Sequence, residues 1–200
     1  RLSGSTVAGL VDAIKELNAD LVVMGSKGQS KLKEVIMGSS AKGLVSKSSC
    51  PVLIIPENAP YKEITQIVYA SDFNGNDMAT LKRLVSFAQL FNAKIVVLHV
   101  FSSDAMENAE ADKFRQQLKA EVKYAKLEYA SRVSVTDDIT ETLTGFLHGI
   151  RADLFVMFEK ESTGFVSKLF HKDMVKQFAT HTDIPLMSYN RLSIDTSQES

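Results

Sequence analysis

Three glycines and two serines stand where chemistry could be done. They form the pattern Gly25-x2-Gly28-x9-Gly38-Ser39-Ser40, set between the apolar run ADLVVMG and a helical stretch. A glycine backbone can approach an anion closely because no Cβ holds it off. Ser39 and Ser40 can cap the helix that follows, and the free N–H groups and dipole of that helix end favour a phosphate. Lys27, Lys31 and Lys33 add positive charge to the same stretch. Neither the Walker loop nor Gly-x-Gly-x-x-Gly is present. The spacing therefore describes a phosphate cradle of another kind, formed by Gly25, Lys27, Gly28, Gly38, Ser39 and Ser40. The same glycines would equally serve to end a strand and start a helix, since glycine punctuates most α/β loops.

Other constellations carry less. His171, Asp173, His181 and Asp183 include candidate metal ligands, but two histidines ten residues apart match no compact zinc spacing and no cysteine joins them. No metal site is expected. Serines lack a Gly-x-Ser-x-Gly elbow, and no general base is positioned by any motif, so no catalytic residue is expected. The one cysteine, Cys50, excludes an internal disulfide, suits a reducing compartment, and reads as a small apolar residue beside Pro51. A net charge of −1 gives no reason to expect a nucleic-acid or anionic-membrane partner. No apolar run approaches the roughly 20 residues of a membrane helix, and no secretory signal is visible, so the expected location is cytoplasmic. A 44% hydrophobic composition allows a substantial core.

The elements that must position the glycine loop come from periodicity. Residues 61–190 alternate strand and helix: ITQIVYAS (64–71), a helix over 77–91, the continuous apolar run AKIVVLHVF (93–101), a charge-laced amphipathic helix over 107–130, SRVSV (131–135), a helix over 140–150, DLFVMF (153–158), a helix over roughly 166–180, and IPLMSY (184–189). Buried strands separated by helices imply βαβ units and a parallel sheet covered on both faces. Residues 1–58 repeat only the second half of that pattern: a helix over 5–17 capped by Ser5 or Thr6, DLVVMG (20–25), a helix over 38–48, and PVLIIP (51–56). Aligning Asp20 with Asp153 and Pro51 with Pro185 needs one inserted residue. PENAPYKE (56–63), with its two prolines, is the linker. The expected organisation is an incomplete first copy (1–58), a complete second copy (59–190) and a polar tail (191–200). The chain opens on Arg1 rather than Met, and the first copy's opening strands are expected upstream or from another chain.

The glycine spacing, preceded by ADLVVMGS and followed by SSCPVLIIP, resembles the ATP-binding signature of the universal stress protein family. ITQIVYASDFN resembles that family's first strand with its closing aspartate, here Asp72, and IVVLHVF resembles its second, ending in His99-Val100. The resemblance covers essentially the whole chain as a tandem pair with a truncated first member. It implies a doubly wound, five-stranded parallel sheet of the adenine nucleotide alpha-hydrolase-like kind, strand order 3-2-1-4-5. It further implies ATP, with or without magnesium, bound as the regulatory ligand of a cytoplasmic stress-response protein.

The second copy has lost the signature. Phe158 stands for Gly25, Glu161 or Ser162 for Gly28, Lys172 and Asp173 for Gly38 and Ser39, and Gly164 is out of register. A carboxylate at a helix start repels a phosphate. The first copy is therefore expected to bind the nucleotide and the second to support it, with Asp72 reduced to a strand-end turn residue. A slow ATPase or phosphotransfer enzyme, and an interaction protein without ligand, are the alternatives. The last strand of each copy would leave an apolar sheet edge, so PVLII (51–55) and PLMSY (185–189) are expected to pair antiparallel, as an intrachain pseudo-dimer or in a homodimer.

Overall fold

A computed structural model of the chain describes residues 6–26, 39–73, 75–102, 109–134, 139–159 and 183–195. In chain order the elements are α1 (Thr6–Glu16), β1 (Val22–Gly25), α2 (Ser39–Lys47), β2 (Val52–Ile55), β3 (Gln66–Ala70), α3 (Asp77–Leu90), β4 (Lys94–Ser102), α4 (Ala109–Glu121), β5 (Leu127–Ser134), α5 (Ile139–Gly149), β6 (Leu154–Phe158), β7 (Leu186–Tyr189) and a last short helix, α6 (Arg191–Asp195). They group into two compact units, residues 1–60 with 159–200, and residues 61–158. The division near residue 60 falls within PENAPYKE (56–63), whereas the one between residues 158 and 159 falls inside the stretch expected as the complete copy, 59–190.

In the unit of residues 61–158 the sheet runs β6-β3-β4-β5, every neighbouring pair parallel. Numbered in chain order from β3, these four strands stand in the order 3-2-1-4, with helices between them as βαβ crossovers require. Consecutive residues Ile67, Val68 and Tyr69, and Leu154, Phe155 and Val156, are all buried, as strands covered on both faces must be. Leu81, Leu84 and Ala88 bury one stripe of α3, and Leu143 and Leu147 bury one stripe of α5.

In the other unit β1 and β2 run parallel, from Val22 beside Val52 to Gly25 beside Ile55. β2 and β7 run antiparallel, Leu53 opposite Met187 and Ile54 opposite Leu186. This is the strand pairing expected from their apolar edges. It satisfies the backbone groups of both and buries Val52, Ile54 and Leu186 completely.

Three helix-to-strand junctions share one device. Asn18, Asn92 and Arg151 have φ of 47, 53 and 56°, and the next residue's N–H returns to the helix, Ala19 to Ile14 O at 3.0 Å, Ala93 to Ala88 O at 3.0 Å and Ala152 to Leu147 O at 2.9 Å. A left-handed residue at this position turns the chain out of the helix while satisfying its last carbonyls. Two of these junctions, Asn18-Ala19-Asp20 and Arg151-Ala152-Asp153, share the residues Ala-Asp at the start of the strand that follows.

Two expectations are corrected. The amphipathic helix expected over 107–130 ends at Glu121, and residues 127–134 form β5. Ala111, Phe114 and Leu118 form the buried stripe of α4, which Val122 closes just past its end. Beyond it, eight residues of parallel pairing with β4 override the helix propensity of AKLEYA. Likewise residues 191–195 of the expected polar tail are helical, with Ser193 and Ile194 buried. The cause is a reciprocal cap: the Ser193 N–H donates to Asn190 Oδ1 at 2.8 Å and the Asn190 N–H to Ser193 Oγ at 2.9 Å. Residues 196–200, and the helix expected over 166–180, lie outside the described residues.

Candidate functional site

The expected cradle begins where β1 ends. Gly25 is the last residue of β1 and is exposed. The buried Ser26 after it donates its N–H to Ile55 O at 2.9 Å, which ties the loop's first residue to the carboxyl end of β2. Lys27, Gly28, Lys31, Lys33 and Gly38 lie outside the described residues. Ser39 opens α2, and Ser40 follows in its first turn, half-buried. The order strand, loop, helix N-terminus at the carboxyl edge of parallel strands is that in which open α/β sheets take ligands. The first-turn N–H groups of α2 have no acceptor within the helix, so this end can receive an anion.

What holds α2 in place is well defined. Ala41, Leu44 and Val45 are buried. A Cβ on Gly43 would lie 2.7 Å from Val7 Cγ2, so α1 and α2 pack backbone against side chain at this point. At the other end of α2 the buried Asn190 side chain donates to Val45 O at 2.7 Å and to Ser48 O at 3.0 Å. Ser48 then folds the chain into β2, its hydroxyl donating to Cys50 O at 2.7 Å. Cys50 is buried, as a small apolar residue at a strand entrance would be. Sequence reasoning missed Asn190. Its signal was local, an asparagine three residues before Ser193, which is the spacing of a reciprocal helix cap.

In the unit of residues 61–158 the carboxyl edge of β3 and β4 is built differently. Asp77, in the first turn of α3, is fully buried and accepts the Tyr69 hydroxyl at 2.7 Å and the Ser71 hydroxyl. The helix N-terminus and two hydroxyl donors make a buried carboxylate tolerable there. Burial, reinforced by the Asp77 charge, pushes the Tyr69 phenol well above its ordinary range. His99 Nδ1 lies 2.9 Å from Ser71 O, and since a carbonyl only accepts, Nδ1 carries the proton. Phe73, with φ of 60°, lies stacked on the His99 ring, 3.8 Å between centroids. Phe114 closes on Phe73 at 4.7 Å. One face of His99 is thus covered by the chain's own aromatic side chain. Asp72 is half-buried in the turn between Ser71 and Phe73. Phe158, expected to correspond to Gly25, ends β6 with its side chain buried. Glu161, Ser162, Gly164, Lys172 and Asp173 lie outside the described residues.

At the opposite, amino ends of β3, β4 and β5 lies an open cleft of about 600 Å³ lined by Glu63, Thr65, Lys94, Lys126 and Glu128, among others. Its charges neutralise one another, Lys94 and Glu128 pairing at 2.7 Å. Of the histidine–aspartate constellation, Asp183 is exposed and His171, Asp173 and His181 lie outside the described residues. Among the described residues no helix is long and apolar enough to cross a membrane.

Residues 1–56 match the model of the Universal stress protein family. Over 54 residues the chain is 37% identical to the stress response protein NhaX of Bacillus subtilis, a stretch that is 27% of this chain and 32% of that protein. Over 62 residues it is 34% identical to a universal stress protein of Methanocaldococcus jannaschii, covering 31% of this chain and 35% of that protein. The matched stretch spans about a third of the length of these curated relatives. The fold is similar to the crystal structure of a universal stress protein from Archaeoglobus fulgidus, at a TM-score of 0.63 and 20% identity, covering 92% of this chain and 65% of that one.

Proposed function

We propose, since residues 1–56 match the model of the Universal stress protein family, that this chain binds an adenine nucleotide, ATP, through the loop from Gly25 to Ser40 and uses it as a regulatory ligand. The observation that carries the reading is the placement of the family's glycine signature, between the exposed end of β1 at Gly25 and the first turn of α2 at Ser39 and Ser40. These ends fit a polyphosphate. An exposed glycine offers backbone without a Cβ, and a helix N-terminus offers N–H donors and a favourable dipole. Lys27, Gly28 and Gly38 are proposed to complete the donor set, with or without magnesium, which would add positive charge to the phosphates when bound. The roles of this chain's residues are to bind and orient; no side chain is assigned a proton transfer. The second copy is proposed to be a structural partner, supported by the burial of Phe158 and by the Phe73–His99 stack at its own carboxyl edge. The proposed setting is a cytoplasmic stress response, with the two copies organised as a tandem pair.

Titration calorimetry of the chain with ATP, with and without magnesium, tests this, alongside mass spectrometry of nucleotide carried through purification. Gly38→Asp should abolish binding while circular dichroism stays unchanged, because it places bulk and negative charge at the helix start. Unaltered affinity in that variant would remove the loop from the site. ATP turnover lost on replacing Ser39 would move the assignment from regulatory ligand to slow hydrolysis.

A further inference from the structure

β5 is the outer strand of the β6-β3-β4-β5 sheet. Its eight residues pair with β4 in unbroken register from Leu127 to Ser134, and among the described residues no strand lies on its other side. It has neither a proline nor a register break, two of the means of blunting an edge; its charges are Glu128 and Arg132. Ile95 N–H donates to Lys126 O at 2.9 Å, which fixes the alternation: backbone groups of even-numbered residues face β4, and those of odd-numbered residues face outward.

A strand that pairs antiparallel with its own copy about a twofold axis must centre on a residue opposing itself, because hydrogen-bonded and non-hydrogen-bonded pairs alternate along the ladder. The sequence LEYASRVS selects one such centre. With Ala130 on the axis, Glu128 opposes Arg132 of the second copy, twice by symmetry and on the same face, and Leu127 opposes Val133. A centre at Tyr129 would set Lys126 against Arg132, and centres at Glu128 or Arg132 would set like charges against themselves. A centre at Ser131 leaves every charge unmatched. Ala130 also suits the position sterically. Its own backbone groups face β4, so the self-opposed pair is the non-hydrogen-bonded kind, with Cα atoms about 4.5 Å apart, where a methyl group fits.

The side chains are available on this edge. The Glu128 side chain is 61% exposed while paired with Lys94 at 2.7 Å, and Val133 is 46% exposed. The Arg132 guanidinium rests 4.9 Å over the Phe146 ring and donates to the outward-facing Ser131 O at 2.7 Å, a bond that pairing across the dyad exchanges for one to Glu128 of the second copy. We propose that β5 is a self-association edge, through which two copies of this chain pair antiparallel with Ala130 on the dyad and Glu128–Arg132 ion pairs on either side.

Sedimentation equilibrium of the full chain, from roughly micromolar to millimolar concentration, tests it. A reversible dimer is expected. Glu128→Arg and Arg132→Glu should each weaken it by about tenfold or more, since each sets like charges opposite one another twice. The double variant E128R/R132E, which exchanges the two charges, should restore the wild-type constant. Circular dichroism of each variant reports folding separately, and the Val133 amide should gain exchange protection as concentration rises. A monomer throughout the range overturns the proposal. So does a dimer indifferent to the single reversals, or one weakened by both and not recovered in the double variant.

Discussion

The side chain of Asn190 closes the end of a helix 145 residues earlier in the chain, donating to Val45 O at 2.7 Å and to Ser48 O at 3.0 Å. The same side chain accepts the Ser193 N–H at 2.8 Å. One buried amide thus satisfies the last carbonyls of α2 and starts α6. Asn190→Leu should leave those carbonyls buried without donors and cost about 2–4 kcal/mol. Urea unfolding should show it as a lower midpoint with an unchanged slope.

Gly43 is predicted to resist even alanine. Helix propensity alone would favour Ala by about 1 kcal/mol. The new Cβ would meet Val7 Cγ2 at 2.7 Å and Cγ1 at 2.8 Å, so α1 must shift. A net loss of about 1–3 kcal/mol is expected for Gly43→Ala, and adding Val7→Ala should recover part of it. Thermal unfolding of the four-member cycle measures the coupling, and strict additivity would contradict the contact.

Arg151 sits in the left-handed region at φ of 56° and is exposed, so its side chain has little to lose. Arg151→Gly should stabilise by up to about 1 kcal/mol, since glycine adopts this conformation without a Cβ penalty. Arg151→Val should destabilise by more than that gain, because β-branching worsens the same clash. Chemical denaturation of both variants against wild type decides the sign.

Asp153 gives the unit of residues 61–158 an acid sensitivity. Burial works against its charge, yet Lys62 at 2.8 Å, the Thr65 N–H and hydroxyl at 2.9 and 2.8 Å and the Gln66 N–H at 2.8 Å hold its carboxyl below the usual value. A lowered folded-state pKa means stability that is fully present above the unfolded value, about 3.9, and lost as pH falls through the folded one. Asp153→Asn should cost about 2 kcal/mol at neutral pH and progressively less below about pH 4. Unfolding free energies at several pH values should converge for the two proteins on the acid side. Parallel curves would remove Asp153 from the acid response.

Much of this architecture was legible in one dimension. The apolar runs within Lys94–Ser102 and Leu154–Phe158 read as strands buried on both faces, and their alternation with helical spacing points to parallel pairing. The glycine signature and its decay in the second copy were visible as residue types, and so were the two apolar edges that meet as β2 and β7. The start of β5 was not legible, because AKLEYA favours a helix locally and becomes a strand through pairing with residues about thirty positions earlier. Nor was the Tyr69–Asp77–Ser71 cluster, since nothing in spacing tells a buried carboxylate from a solvent-exposed helix cap.

The sequence by itself indicated most of the strands and helices, and it offered the loop that is proposed to meet a phosphate. Those properties follow from side-chain periodicity and backbone freedom, which act between near neighbours. Only the tertiary structure decided where α4 yields to β5, that Asn190 closes α2, and that Phe73 lies on His99 rather than in solvent. Each of these depends on groups brought together from distant parts of the chain. Burial there makes an unmet hydrogen bond or an unfilled gap cost several times what it would at the surface, and so selects one partner among many that local preference leaves open.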